Sequence, residues 1–537
     1  MPSPSKLLRK AVKKTKMASA ARGAMRVAHI PYQPGPGALA DPRPGLPAAL
    51  VPSASGGASG SNQIQAENKH PGSAKYRMGS DFTRKGDDFE RQIKGYASAD
   101  SVALGASIDF HVSLEPAGTF TVAVYRLGYY SGKSARLMST SPKLSGAAQP
   151  VPAAAQDRTG RIAVDWPVSW TLPVPADWTS GAYLAVLTKQ DGHRNYVPFV
   201  VRDDSGAKSD FLVILPTVNW QAYNQWPYDG KTGKNVYHGF VTEEVAKNDP
   251  SMKAQFRKAA RGYVSHPARA GEVSFNRPQF VDGMPSRFDL EQSFILWAEA
   301  MGYDLSYASG LDLHEGRVDS ARHKALIFAG HDEYWTTDMR RHAEDAVAAG
   351  TSLAFLTANN AYWHVRYDAE TRTMACYKSF EDPAVEDFPT SMWRNTEGHA
   401  LAEQQLMGVQ YSGVVHGNLP LIVAEADHWF WAGTGLADGD EIPRILGGEA
   451  DSLFPDMPRA KTDNQVLLTA SPYPRPTIGD VLIQNTSLYQ AASGAWVFCA
   501  GTFNWPLALG HHGFQDQRVH RATANLLARL GGAETVS

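Results

Sequence analysis

Cysteine is nearly absent: the 537 residues hold two, Cys376 and Cys499, far apart and outside any CxxC or metal-type spacing. A disulfide framework and a thiolate zinc site are thereby excluded. Two free thiols in a reducing compartment is the simpler expectation, one long-range disulfide the alternative. Charge of one sign is missing too, since 52 Lys and Arg stand against 54 Asp and Glu for a net charge of -2, which gives no field to hold the chain on nucleic acid or anionic lipid. No apolar run approaches the ~18 to 20 residues needed to cross a bilayer; the strongest, FLVILP at 211–216, has the length of a strand. A cytoplasmic protein with no membrane span and no nucleic-acid partner is expected. Neither a GxSxG elbow, a Walker loop, a GxGxxG nor an HExxH occurs, and His331 with Glu333 spells the HxE of zinc deaminases without the PCxxC that must accompany it.

What is present is enough apolar material, 43% of the chain, for more than one core, and at ~150 residues per domain the length predicts two or three domains. Residues 1–74 begin basic, without the continuous apolar segment of a secretory signal, and continue rich in Pro, Gly and Ala; they are read as tail and linker. Over residues 75–205, short alternating runs such as SIDFHVSL, TFTVAVYRLGYY, AVDWPVSWTLPV and GAYLAVLTK are punctuated by turn residues and closed by NYVPFVVRDD. This is the pattern of an antiparallel β-sandwich of Ig-like or lectin-like kind. Its aromatics, Tyr125, Tyr129, Tyr130, Trp166 and Trp170, are read as packing residues first and as a carbohydrate-stacking face second.

From residue 206 to 537 the period changes to apolar strands alternating with helical patterns, the mark of an α/β parallel sheet. DFLVILP, KALIFAG and SLAFLTA are three of its strands. Between the last two, TTDMRRHAEDAVAAG offers Thr336 or Thr337 as N-cap and Gly350 as stop, which predicts one βαβ unit. In such a sheet the loops at the carboxyl ends of the strands share one edge, where ligands bind. Three of those loops carry unusual chemistry: PTVNWQAYNQW with Tyr223, HDEYW with His331 and Glu333, and NNAYW with Asn359. The pattern is close to that of class I glutamine amidotransferases, yet the turn that would need a nucleophilic Cys holds His331, Asp332 and Glu333, and Cys499 lies inside a strand. The remaining Glu, Tyr, Asn and His suit iron, manganese or zinc better than copper(I) or an iron–sulfur cluster.

GHDEYW, followed 26 residues after its Glu by Asn359 of NNAYW, with NWQAYN upstream and RILGGEADSL downstream, resembles the large (β) subunit of the N,N-dimethylformamidase family. The resemblance extends from about residue 90 to the C-terminus and includes IKGYASADSV, VYRLGYYSGK and YVPFVVRDD. It implies a mononuclear Fe(III) held by two tyrosinates and one carboxylate, and hydrolysis of a formamide to formate and an amine. Carried over by motif, the carboxylate is Glu333 and the first tyrosinate Tyr223; the second is Tyr237 of NVYHGF, with Tyr228 as competitor. His331 and Asn359 would stand close to the metal and Glu449 of GGEAD would carry a proton. Asp332 departs from the Pro of the characterised enzyme, and GGE from the aromatic that precedes the Glu in many relatives; neither change removes a proposed ligand.

Taken alone, Tyr223 and Tyr237 read as packing tyrosines, Glu449 equally as a surface carboxylate, and Trp335 and Trp363 as core. Glu333 stands out, because an acid at the end of a buried strand needs a partner. The expectation is a cytoplasmic homo-oligomeric hydrolase acting on a non-peptide C–N bond of a small linear amide, with a separately encoded small subunit as a further partner. The alternative from another class is a carbohydrate- or partner-binding protein with a degenerate α/β domain.

Overall fold

The structure, a computed structural model, describes residues 62–78, 84–153, 159–241, 257–258, 263–265, 268–378, 382–383, 388–396, 400–475 and 479–532. Sheet outweighs helix throughout. The first element is a short helix, α1 (Gln63–Glu67), capped by the Asn62 side chain. It lies within the stretch read from sequence as tail and linker, and tertiary contacts rather than propensity hold it: Ile64 is fully buried, and Glu67 accepts from Tyr130 Oη at 2.7 Å and pairs with Arg136 at 2.9 Å.

Two sheets pack face to face over the next hundred residues. β1 (Ile93–Ala97), β2 (Ser107–Leu114) and β5 (Trp170–Pro173) form an antiparallel three-stranded layer in the order β1-β2-β5. Against it stand β3 (Gly118–Leu127), β4 (Ala135–Thr140), β6 (Gly181–Lys189) and β7 (His193–Arg202), in the antiparallel order β7-β6-β3-β4. The alternation legible in sequence supplies one shared core, with Phe110, Val112 and Leu172 from the first layer and Val122, Ala185, Leu187 and Phe199 from the second. One predicted strand is shorter than expected. AVDWPVSWTLPV is a strand only at Trp170–Pro173, because Pro167 has no amide hydrogen for a ladder; Ile162, Val164 and Trp166 turn instead onto Trp226 and Phe280. Tyr125, Tyr130 and Trp166 are 4%, 1% and 3% exposed, which leaves no stacking face on these three.

A further, seven-stranded sheet is built from β8 (Phe211–Leu215), β9 (Leu305–Ser309), β10 (Ala325–Phe328), β11 (Ser352–Phe355), β14 (Val466–Leu467), β15 (Ser487–Gln490) and β16 (Trp496–Cys499) in the order β9-β8-β10-β11-β16-β15-β14. The first five run parallel and the last two antiparallel. Both faces are covered, which is why these strands read as continuous apolar runs. Val213, Ile327, Ala354 and Phe498 point to one face and Ile214, Leu326, Phe355 and Val497 to the other. α3 (Phe288–Ala300), α5 (Trp505–Gly510) and α6 (Gln517–Leu530) cover the first face, and α4 (Thr337–Ala348) the second. The βαβ unit forms as its caps predict, since Thr336 accepts from the Met339 amide and Gly350 sits at φ +98°. Two long strands, β12 (Gln410–Ile422) and β13 (Glu441–Ser452), make a separate bulged antiparallel ribbon beside the sheet. No helix of the described residues is long and apolar enough to cross a membrane.

A buried ion network ties the two sheet systems together. Arg126 of β3 pairs with Glu299 of α3 at 2.8 Å, both side chains fully buried, and Glu299 also accepts from Tyr307 Oη at 2.8 Å and Asn68 Nδ2 at 2.9 Å. Removing one partner of such a pair strands the other charge in low dielectric, at a cost of about 3–5 kcal/mol, whereas an apolar pair of similar volume is close to neutral. Arg126→Met should therefore lower the thermal midpoint sharply, and Arg126→Met with Glu299→Leu should recover most of the loss. Equal midpoints for the single and double variants would count against a charge-based junction.

Candidate active site

Three chain segments at the carboxyl edge of the parallel sheet build the site. The first leaves β8 through Pro216 into α2 (Thr217–Ala222) and ends on Tyr223, the C-cap. The chain then loops out and returns at Asn235, whose amide side chain joins the two arms: Nδ2 donates to Tyr223 O at 2.9 Å, and Oδ1 accepts from the Tyr237 and His238 amides at 2.8 and 2.7 Å. As a result the Tyr223 and Tyr237 rings stack with centroids 4.9 Å apart.

The second segment follows β10. Gly330 is required there because an added Cβ would meet the Glu291 side chain of α3 at 2.5 Å. Beyond it the backbones of HDEYW and NNAYW are laced together: the Ala361, Tyr362 and Trp363 amides donate to Asp332 O, Glu333 O and Glu333 O at 2.8, 2.9 and 2.8 Å. Tyr334–Trp335 then pairs in parallel with Trp363–His364. Asn359 and Ala361 adopt φ +57° and +48°, strained values that this lacing enforces, with Asn the better suited to them.

The third segment is β13. Glu449 and Asp451, two residues apart on one face, both grip Asn359: its Nδ2 donates to Glu449 Oε2 at 2.8 Å and its backbone amide to Asp451 Oδ1 at 2.9 Å. Cys499 Sγ lies 3.4 Å from the other Asp451 oxygen, and burial, then the Asp451 charge, hold the thiol well above its ordinary pKa. A thiolate nucleophile is thus disfavoured here.

At the centre is Glu333, 1% exposed. Its Oε2 accepts from Tyr223 Oη at 2.6 Å, and its Oε1 from Tyr237 Oη and from Trp363 Nε1 at 2.8 Å. Tyr223 and Tyr237 hydroxyls stand 3.2 Å apart, and His331 Nε2 lies 3.2 Å from Tyr223 Oη, 3.3 Å from Glu333 Oε2 and 3.9 Å from Glu449 Oε2. Lys378 Nζ sits 3.1 Å from the centroid of the Tyr237 ring and 4.4 Å from that of Trp363, and donates to Tyr334 Oη at 2.7 Å.

The electrostatics divide the two carboxyl groups. Burial opposes ionisation of Glu333, but the His331 hydrogen bond and charge, with Lys378 and Tyr223, outweigh it and hold the group below the usual range. Burial and the neighbouring Glu333 charge push Glu449 well up. The two acids are thus pushed in opposite directions, Glu333 toward the carboxylate and Glu449 toward the protonated form. Burial and Glu333 likewise raise both phenols far above 10, so here they are neutral donors. Burial lowers Lys378 to about 7 against the pull of Glu333.

The structure brings together every residue singled out as ligand or proton carrier: Tyr223, Tyr237, Glu333, His331, Asn359 and Glu449. It leaves Tyr228 elsewhere, packed on Phe240 and Phe280 at 5.0 and 6.1 Å. Among the described residues no cluster of three His, Cys, Asp and Glu side chains could hold a metal ion, so a metal centre here must use the phenols. The donor set fits one. Oxygens that share an ion at about 2 Å and at right angles stand about 2.8–3 Å apart, and the 2.6 and 3.2 Å separations around Tyr223 bracket that. Three participants escaped the sequence reading. Trp363, read as core, also donates to Glu333; Asp451 is signalled only by its two-residue offset from Glu449; Lys378 has no local pattern at all.

A family model described as N,N-dimethylformamidase beta subunit-like, C-terminal, matches residues 121–517. No curated protein matches the chain. Among solved structures, 20% of the chain is similar to 16% of a mutant beta-glucosidase from Listeria innocua in complex with laminaribiose, at 12% identity and TM-score 0.13. A further 10% identical match, TM-score 0.16, joins 51% of this chain to 56% of a cycloisomaltooligosaccharide glucanotransferase from Paenibacillus sp. complexed with cycloisomaltoheptaose. Both matches span less than two thirds of the other chain.

Proposed function

The chain belongs to the N,N-dimethylformamidase beta subunit-like family, and from that premise we propose that it is a metal-dependent amidohydrolase cleaving the C–N bond of a small formamide or related linear amide. The observation that carries the reading is the convergence of Tyr223 Oη, Tyr237 Oη and His331 Nε2 on a single ionised carboxylate, Glu333. Tyr223, Tyr237 and Glu333 would hold one iron ion; two phenolates and a carboxylate supply three negative charges, which match Fe(III). Bound there, the ion would supply Lewis acidity, polarising an amide carbonyl or lowering the pKa of a water.

This chain's residues account for the proton movements. Hydrolysis adds water across the C–N bond and needs one proton taken from the attacking water and one given to the departing nitrogen. His331 Nε2, 3.2–3.9 Å from Tyr223, Glu333 and Glu449, is the group placed to take the first, in the neutral tautomer that leaves Nε2 free of a proton rather than in the one that donates to Glu333. Glu449, whose protonated form burial and the Glu333 charge favour, is placed to give the second, and at 15% exposure it is the carboxyl that substrate reaches, whereas Glu333 at 1% is closed. Asn359 Nδ2 aims the Glu449 carboxyl. The products are a carboxylate, formate for a formamide, and an amine.

We read the two-layer part as an Ig-like sandwich and the seven-stranded part as an amidotransferase-like scaffold, divided near residue 205. The family's description as a beta subunit supports a partner subunit in the working assembly. The test is metal content and spectrum. As-isolated or iron-reconstituted protein should hold about one iron per chain, show a visible tyrosinate-to-iron charge-transfer band, hydrolyse small formamides, and lose colour and activity together under a strong chelator. A colourless protein that takes up no iron overturns the proposal.

A further inference from the structure

Arg277 is 1% exposed, and no carboxylate is among its hydrogen-bond partners. Among the described residues its guanidinium donates to backbone carbonyls alone: Nη2 to Asn224 O at 2.7 Å and, at 3.5 Å, to Gln221 O, and Nη1 to Lys234 O at 3.1 Å. Among the described residues Nε has no partner, and burial brings the group down to about 9. A buried cation satisfied only by carbonyls is costly to keep, so its placement calls for a reason other than stability.

The reason lies in which carbonyls it holds. Asn224 follows Tyr223 directly and Gln221 precedes it by two, while Lys234 stands three residues before Tyr237. One planar, forked group therefore bonds to both arms of the loop, one beside each phenol. Asn235 ties the same arms from within through Tyr223 O and the Tyr237 amide. The excursion between them is tightly folded as well, since a Cβ on Gly233 would run into the backbone carbonyls of Gln225 and Pro227. Lysine cannot reproduce the clasp, because an ammonium is a point donor without the guanidinium's rigid two-pronged geometry.

We propose that Arg277 is a positioning residue that sets the spacing of the Tyr223 and Tyr237 hydroxyls by clasping the Asn224 and Lys234 carbonyls. The proposal rests on the reading of those phenols as the ion's ligands. It is tested with two measurements on the full-length chain. The first, which needs no metal, is nitration of Tyr223 and Tyr237 by tetranitromethane, resolved by peptide mass spectrometry, with fully buried Tyr307 as the internal control for global unfolding. Arg277→Lys and Arg277→Met should each raise labelling of both loop tyrosines by about tenfold through local opening while Tyr307 stays unlabelled. The second is iron affinity and the charge-transfer band. Both variants should bind iron about 10- to 100-fold more weakly, the range of outer-shell losses at metal sites, and shift the band, with Arg277→Lys the milder. Wild-type labelling in Arg277→Lys with Tyr307 still protected overturns the clasp, as does an unshifted band in a variant that binds iron normally. If Arg277→Met exposes Tyr307, the folded Arg277→Lys variant decides. Should the wild type bind no iron, the functional reading fails while the nitration result still judges the clasp.

Discussion

Glu333→Gln is expected to give a folded protein that binds almost no iron and whose kcat/KM for a formamide falls by at least about 10³, the loss of several kcal/mol that follows when a charged centre is dismantled. Glu333 accepts three hydrogen bonds, from Tyr223, Tyr237 and Trp363. Glutamine keeps the shape but offers one acceptor oxygen and one donor nitrogen, so at least one of those three hydrogen bonds is lost or has to reverse. The negative charge that would complement the ion is gone as well. Glu333→Ala should show the same metal loss and be less stable in addition, since it leaves the Trp363 indole unpaired in a cavity. Iron quantified per folded chain decides the matter, and wild-type stoichiometry in Glu333→Gln would remove Glu333 from the ligand set.

The opposite signature is expected one shell out. Glu449→Gln should keep its iron and its charge-transfer band while kcat drops by about 10² to 10⁴, the usual range for a lost general acid, with KM nearly unchanged. The amide can still accept from Asn359 Nδ2 and so stays in place, but it carries no proton to give. Steady-state kinetics on metal-replete protein are the check. A kcat close to wild type would assign the proton to another group, and loss of iron would make Glu449 a ligand instead.

The parts of this molecule that were legible in sequence are those whose cause is local. Thr336 and Gly350 bracket their helix because capping and a left-handed stop act within one turn. Glu333 stands out because a buried acid five residues past a fully buried strand, Ala325–Phe328, has no local means of satisfaction. The illegible parts have tertiary causes. α1 exists because Ile64 joins the main core and Glu67 finds partners at Tyr130 and Arg136, far along the chain. Residues 162–166 alternate like a strand yet pair with none, since their apolar side chains are claimed by Trp226 and Phe280. Lys378 lies 45 residues beyond Glu333 on a stretch with no periodicity, and only the fold lays its ammonium on the Tyr237 ring. Arg277 is hidden for the same reason, as its partners are carbonyls that no side-chain pattern reveals.

The lacing between HDEYW and NNAYW has a bearing on how this site can change over time. Because the backbone of one loop donates into the other, an insertion in either breaks contacts in both, and the residues that surround Glu333 are bound to vary together or not at all. The ribbon that carries Glu449 is tied to those loops at Asn359, through the Glu449 and Asp451 side chains. It already absorbs three irregularities in register, and at its bend Gly448 holds φ +72° with Phe503 beside it. New substrate preferences are therefore open to the chain through lengthening or reshaping of the outer part of that ribbon, with the wall around Glu333 inherited intact.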